Sequence, residues 1–196
     1  MKARLTNPIE ALREMLGGEN QVTAVKPQRI TSKPLPLSTV SFQSWQTPFW
    51  FYTRLAKRWT FTLDAAADKQ NTLCTNWYDG TEGCDGLIEP WDFVTYCNPP
   101  YKNIMPWVEK AITEAERGST SVLLLPARLE TKWFDMYSVL CETEIITPRL
   151  PFEGGNGTSP PHGSMLMIFS PETIATPTLY SEHRRIKVVT YRKDLL

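Results

Sequence analysis

Histidine is nearly absent from this chain, with two in 196 residues, His162 and His183. Cysteine is scarce as well. The four cysteines, at 74, 84, 97 and 141, include no C-x-x-C pair. Together these shortages argue against a zinc site, and four unpaired thiols suit a protein of the reducing cytoplasm. No apolar run approaches the length of a membrane span. The opening Met1-Lys2-Ala3-Arg4-Leu5 lacks the apolar stretch of a secretory signal. A phosphate-binding loop is missing too, because Gly154-Gly155-Asn156-Gly157 is not followed by Lys-Ser/Thr. The pair Asp64/Asp85 has no histidine near it in sequence and no phosphate motif beside it, so no metal is expected there. No internal repeat is visible.

Net charge is zero, yet its distribution is uneven. Residues 1–60 carry nine Lys/Arg against three Asp/Glu, whereas residues 61–100 carry one Lys against seven Asp/Glu. A basic arm beside an acidic centre fits a protein that touches phosphates with one part and holds a cationic ligand with another. Arg184-Arg185 reads as a solvated charge pair.

Asn7, Pro8 and Gly17-Gly18 frame a short helix at 7–16. Residues 19–44 have no sustained period and read as an extended arm. A compact domain is expected over 45–196. In it Thr47 should cap a helix from Phe49 to Arg58, whose Trp and Phe residues belong to the core. Thr60–Leu63 reads as a short strand ending at Asp64, and residues 70–91 as irregular. Asp92–Cys97 reads as a buried strand, 104–117 as a helix stopped by Gly118, and Ser121–Leu125 as a buried strand stopped by Pro126. A helix over 130–140, a strand at 144–147, a loop at 153–163 and a strand at 165–169 follow. Residues 187–191 suit an edge strand or no structure.

Alternating strands and helices predict an α/β fold, a mostly parallel sheet with helices on both faces. Ligands of such sheets bind outside the carboxyl ends of the strands. Asp64 and Asn98 both fall at such ends and should share one crevice.

The most informative residues are Asn98-Pro99-Pro100-Tyr101. The two prolines fix φ and remove two backbone donors, which leaves carbonyl oxygens facing outward. The Asn98 side-chain oxygen and the Pro99 carbonyl can then accept both hydrogens of an exocyclic amino group. That draws the nitrogen lone pair out of conjugation. Tyr101 offers a flat surface for an extruded base.

With these residues in place the chain resembles the phage-type DNA N6-adenine methyltransferases. The resemblance runs from about Trp45 to Phe169. It rests on Trp45-Gln46-Thr47-Pro48, Phe61-Thr62-Leu63-Asp64-Ala65-Ala66-Ala67, Asn98-Pro99-Pro100-Tyr101, Leu125-Pro126-Ala127 and Arg149-Leu150-Pro151-Phe152, in that order. It implies a Rossmann-like methyltransferase fold, S-adenosylmethionine as methyl donor, DNA as substrate and the cytoplasm of a bacterial host. By position, Thr47-Pro48 would touch the methionine part of the cofactor. Asp64, Ala65 and Ala66 would form the first cofactor loop, and Asp85 would lie near the cofactor's adenine. Asn98, Pro99, Pro100 and Tyr101 would grip the target adenine. Arg149 and Asn156, within a recognition loop at 149–163, would meet DNA. Asp79 and Glu82 are candidates for the ribose carboxylate.

The chain departs from the wider class in its cofactor loop, Asp64-Ala65-Ala66-Ala67-Asp68, which has no glycine. Alanine does not take positive φ freely, so this loop should be helical or nearly so. Two other readings stand beside the first. One is an amino-group methyltransferase acting on RNA or protein glutamine, and the other is a non-catalytic nucleic-acid-binding protein of the same fold. Nothing in the sequence demands a second copy of the chain.

Overall fold

Two largely apolar, buried runs lie side by side in the middle of the sheet. The computed structural model describes residues 45–154, 160–178 and 185–193, all within the unit Ser41–Leu196. The helix at 7–16, the extended arm at 19–44, and Asn156 lie outside the described residues. Strand β5 is Thr120–Pro126 and β8 is Ser164–Phe169, the latter buried at all six positions. They pair antiparallel, with Leu123 opposite Met167. Such runs show no alternation because both sheet faces are covered.

The remaining strands are β2 (Leu63–Asp64), β3 (Asn76–Trp77), β4 (Val94–Cys97), β6 (Glu142–Thr147) and β9 (Ile186–Thr190). The sheet order is β3-β2-β4-β5-β8-β6-β9. Only β8 runs against its neighbours, β5 and β6; the other pairings are parallel. The mostly parallel α/β architecture is therefore as expected. It puts the carboxyl ends of β2, β4, β5, β6 and β9 on one rim.

Helix α1 (Phe49–Ala56) lays Phe51, Tyr52 and Leu55 on Tyr96, Val122, Leu124 and Leu166. Burial of each large apolar side chain is worth about 1.5–3 kcal/mol. The alternate residues of β5, Leu123 and Leu125, project from the opposite face. Helix α2 (Met105–Glu116) packs on β5 with Val108, Ala111 and Ile112 fully buried. Gly118, at φ +105°, ends it as expected.

Several boundaries differ from the sequence reading. Thr47 does not cap α1. Pro48 occupies the N-cap position with no side-chain bond, and Thr47 is one residue too early. The helix stops at Ala56, and Phe61–Thr62 are not in a strand. Asp92 and Phe93 precede β4, with Phe93 84% exposed. The expected helix at 130–140 is α3 (Lys132–Tyr137) followed by a 3-10 turn over Ser138–Leu140. A short helix α4 (Pro171–Ala175), with a Ser170/Thr173 capping box, was not expected. Glu153–Gly154 is a strand, β7, paired antiparallel with β1 (Trp45–Gln46).

A buried ion cluster fastens α1's end to the far half of the sheet. Glu144, on β6, accepts from Arg58 at 2.5 and 2.8 Å and from the Tyr191 hydroxyl at 2.8 Å. Lys187 on β9 lies 2.9 Å from the same carboxylate. Burial opposes its charge, but these partners outweigh that and bring its pKa down to about 2.

Candidate active site

β4 and β2 pair in register Asp64↔Tyr96, so Asn98 stands just beyond the rim at which β2 ends. Asp64 and Asn98 line one cavity together with Thr47, Ala66, Tyr96 and Pro100. The expected shared crevice is present. Asn98 donates from Nδ2 to the Trp45 carbonyl oxygen at 3.1 Å. This commits the nitrogen end of the amide and makes Oδ1 its acceptor end. Pro99 is buried, and Pro100 lines the cavity.

Tyr101 is held between two rings. Its centroid lies 6.2 Å from Trp45 and 6.4 Å from Phe152, the latter edge-on at 87°. Trp45 thus serves both Asn98 and Tyr101, and its position is fixed by the β1–β7 ribbon. The sequence carries the residues of this ribbon but gives no sign of their pairing.

Asp64 is 3% exposed. Its Oδ2 accepts from the Leu73 amide at 3.3 Å, while Oδ1 is buried with no partner among the described residues. Burial raises its pKa to about 7, with backbone hydrogen bonds from Leu73 and Ala66 pulling the other way. A buried carboxylate oxygen without a donor favours a cationic ligand in this cavity. The Thr47 hydroxyl meets the Tyr96 hydroxyl at 2.6 Å on the same wall.

Ala65 and Ala66 form a turn rather than the helical loop expected, and the chain goes on to β3 without a helix. β3, which pairs parallel with β2, begins only at Asn76, and the connection between them is made of turns and bends. The glycine missing from the loop sits across from it. Gly86 packs so closely that an added Cβ would collide with the Ala65 carbonyl oxygen. Its own carbonyl accepts from Trp91 Nε1 at 2.7 Å. This contact holds Asp85 at a second cavity, with Ala66, Tyr78, Gly80, Pro100 and Trp107. Ala66 and Pro100 line both cavities, which therefore flank one ridge. Their volumes are about 30 and 40 Å³. A nucleoside-sized ligand enters only as their walls part. Asp85 Oδ1 caps the Leu87 amide at 2.9 Å. Asp79 is engaged by the Thr81 amide and hydroxyl, at 3.0 and 2.6 Å, and Glu82 is exposed. Neither lines a cavity described here.

A sequence model of the DNA N-6-adenine-methyltransferase (Dam) family matches residues 38–192. The chain belongs to that family. It is 34% identical over 140 residues to the DNA N-6-adenine-methyltransferase of Haemophilus phage HP1, covering 65% of this chain and 79% of that one. It is 33% identical over 94 residues to the protein of the same name from Escherichia phage T1, covering 46% and 38%. Among solved structures, a predicted O-methyltransferase from Agrobacterium tumefaciens matches 54% of this chain and 43% of that chain, at 17% identity and a TM-score of 0.28. The fold assignment rests on the strand order and directions given above.

In this Dam-family chain Arg149 does not project freely. Its guanidinium donates to the Pro160 carbonyl and, at 3.2 Å, to that of His162. It closes the neck of the loop in which the sequence reading placed it. Among the described residues no group of three or more His, Cys, Asp or Glu could hold a metal. No described helix is long and apolar enough to cross a membrane.

Proposed function

We propose that this Dam-family chain transfers a methyl group from S-adenosylmethionine to N6 of adenine in DNA. One observation carries the reading: Asn98, its amide oriented by Trp45, shares a cavity with the under-partnered Asp64 carboxylate. A group able to accept from an amino nitrogen and an anion able to hold a cation are what this reaction needs side by side. S-adenosylmethionine fits by its charge, and it supplies an electrophilic methyl on a sulfonium.

Asp64 faces the cofactor's cationic end with Thr47 and Pro48 beside it, and Asp85 takes its adenine end past Ala65 and Ala66. Asn98 Oδ1 and the Pro99 carbonyl accept the two amino hydrogens of the target adenine. Asn98 is no base near neutral pH. It orients the nitrogen and stabilises the positive charge that develops there. Tyr101 stacks on the base, which must leave the duplex to arrive. Residues 45–196 act as the methyltransferase domain. The arm within 1–44, with Arg149 and Asn156, adds contacts with DNA. The enzyme works in the cytoplasm of a bacterial host.

Mass spectrometry of nucleosides from treated DNA tests the reading, and N6-methyladenine is the expected product. Asn98→Ala should slow turnover by roughly 10²–10³-fold, while the melting shift caused by S-adenosylhomocysteine stays as in the wild type. Methyl found only on RNA or on glutamine would overturn the assignment of DNA.

A further inference from the structure

The rim that carries Asn98 continues beyond the reacting centre. β6 and β9 share the direction of β4, so Thr147 and Thr190 end on the same rim. From there the chain runs on as 148–151 and 191–193, and a cavity of about 320 Å³ opens between the two segments. Trp50, Pro148 and Pro151 give it apolar walls; Arg149, Arg192 and Lys193 give it positive charge, and among the described residues no carboxylate lines it. Arg192 and Lys193 are exposed and have no hydrogen-bond or ion-pair partner among the described residues. The closest acid on β6 in the cluster below, Glu144, is already engaged by Arg58, Lys187 and Tyr191.

The groove leads into the candidate active site. Pro151 in its wall precedes Phe152, whose ring lies 6.4 Å from that of Tyr101. Its far end, at the close of β9, is four strands from β4, roughly 19 Å at about 4.8 Å per strand. Along a duplex that spans roughly five or six steps of about 3.4 Å. We infer that this groove holds the sugar–phosphate backbone on one flank of the target adenine. Arg192 and Lys193 neutralise phosphates, and Trp50, Pro148 and Pro151 pack against deoxyribose. Apolar walls alone would suit many partners. Cations with no partner among the described residues, on a rim that runs into a base-accepting site, suit a polyanion that delivers a base, and an acidic protein surface would not need that continuity. The inference rests on the reading of DNA as substrate.

The test uses the full chain and the double variant R192A/K193A. Binding to two labelled duplexes, one methylated by the wild type and one scrambled, is followed over a range of salt. The slope of log affinity against log salt should fall by about two, equally on both duplexes. The melting shift with S-adenosylhomocysteine should match the wild type, and R192K/K193R should keep the wild-type slope. If R192A/K193A also loses the melting shift, R192K/K193R decides, and a slope reduced there as well counts against the groove. An unchanged slope, in a protein whose wild type methylates adenine, overturns the inference. So does a loss confined to one sequence, which would put the cations on base edges. A wild type that neither binds nor methylates DNA would instead overturn the reading of the substrate.

Discussion

Asp64 and Glu144 are buried carboxylates of one sheet, 3% and 0% exposed, and their surroundings treat them in opposite ways. Glu144 has donors from Arg58, Tyr191 and Lys187, and its pKa falls to about 2. Asp64 has the Leu73 amide on Oδ2, no hydrogen-bond partner for Oδ1 among the described residues, and a pKa raised by burial to about 7. Burial opposes the charge of both; only Glu144 has the partners that outweigh it within the fold. A fully partnered buried charge holds elements together, whereas a half-partnered one leaves room for something to bind.

Removing the partnered charge should have the largest effect. Glu144→Ala removes the buried acceptor shared by Arg58, Tyr191 and Lys187 and should cost about 3 kcal/mol of unfolding free energy in denaturant titrations. In the wild type this contribution is fully present above the usual glutamate pKa near 4.5 and is lost as pH falls towards 2. An acid limb lying at the same pH in the variant and the wild type would remove Glu144 from that role.

Asp64→Asn should act with the opposite sign on the free protein. Asp64 has a raised folded pKa, so its stability contribution is intact below about 4 and is lost as pH rises towards 7. The variant should therefore be more stable than the wild type by about 2 kcal/mol at pH 8.5, with the difference gone below about pH 4. A variant less stable at pH 8.5 would mean that Asp64 already has its partner in the fold.

A smaller effect should appear in ligand binding. An ionised Asp64 is the form that holds a cation. Affinity for S-adenosylhomocysteine, read by calorimetry, should fall about tenfold from pH 8 to pH 6, or about 1.4 kcal/mol. Asp64→Asn should bind weakly and flatten that dependence. The same slope in both proteins would place the ligand's charge elsewhere.

The sequence made one of these two carboxylates legible. Asp64 stood out because it ends a short alternating strand, Thr60–Leu63, before three alanines. Glu144 lay within a strand, and its partner Arg58 is 86 residues away, a distance no local pattern spans. The same contrast holds for the fold. β5, β8 and α2 carry enough apolar residues to announce themselves. β1, β3 and β7 have two residues each, too few for a period, and β1–β7 nevertheless sets the orientation of Asn98. Thr47 before Pro48 looked like a cap, but the proline's extended backbone takes that place and the threonine turns to Tyr96. Gly86 escaped notice because its reason is a close approach to Ala65, which only the tertiary structure brings about.

Arg149 clasping Pro160 and His162 has a consequence for how this part of the chain is tied down. The clasp and the β1–β7 ribbon anchor both sides of the stretch between Gly154 and Pro160. The chain leaves through β7, paired with β1, and returns past the carbonyls that Arg149 holds, so departure and return have separate fastenings. Removing the Arg149 side chain would take the donor from Pro160 and His162 while the β1–β7 ribbon stays paired, so the two fastenings can be loosened one at a time.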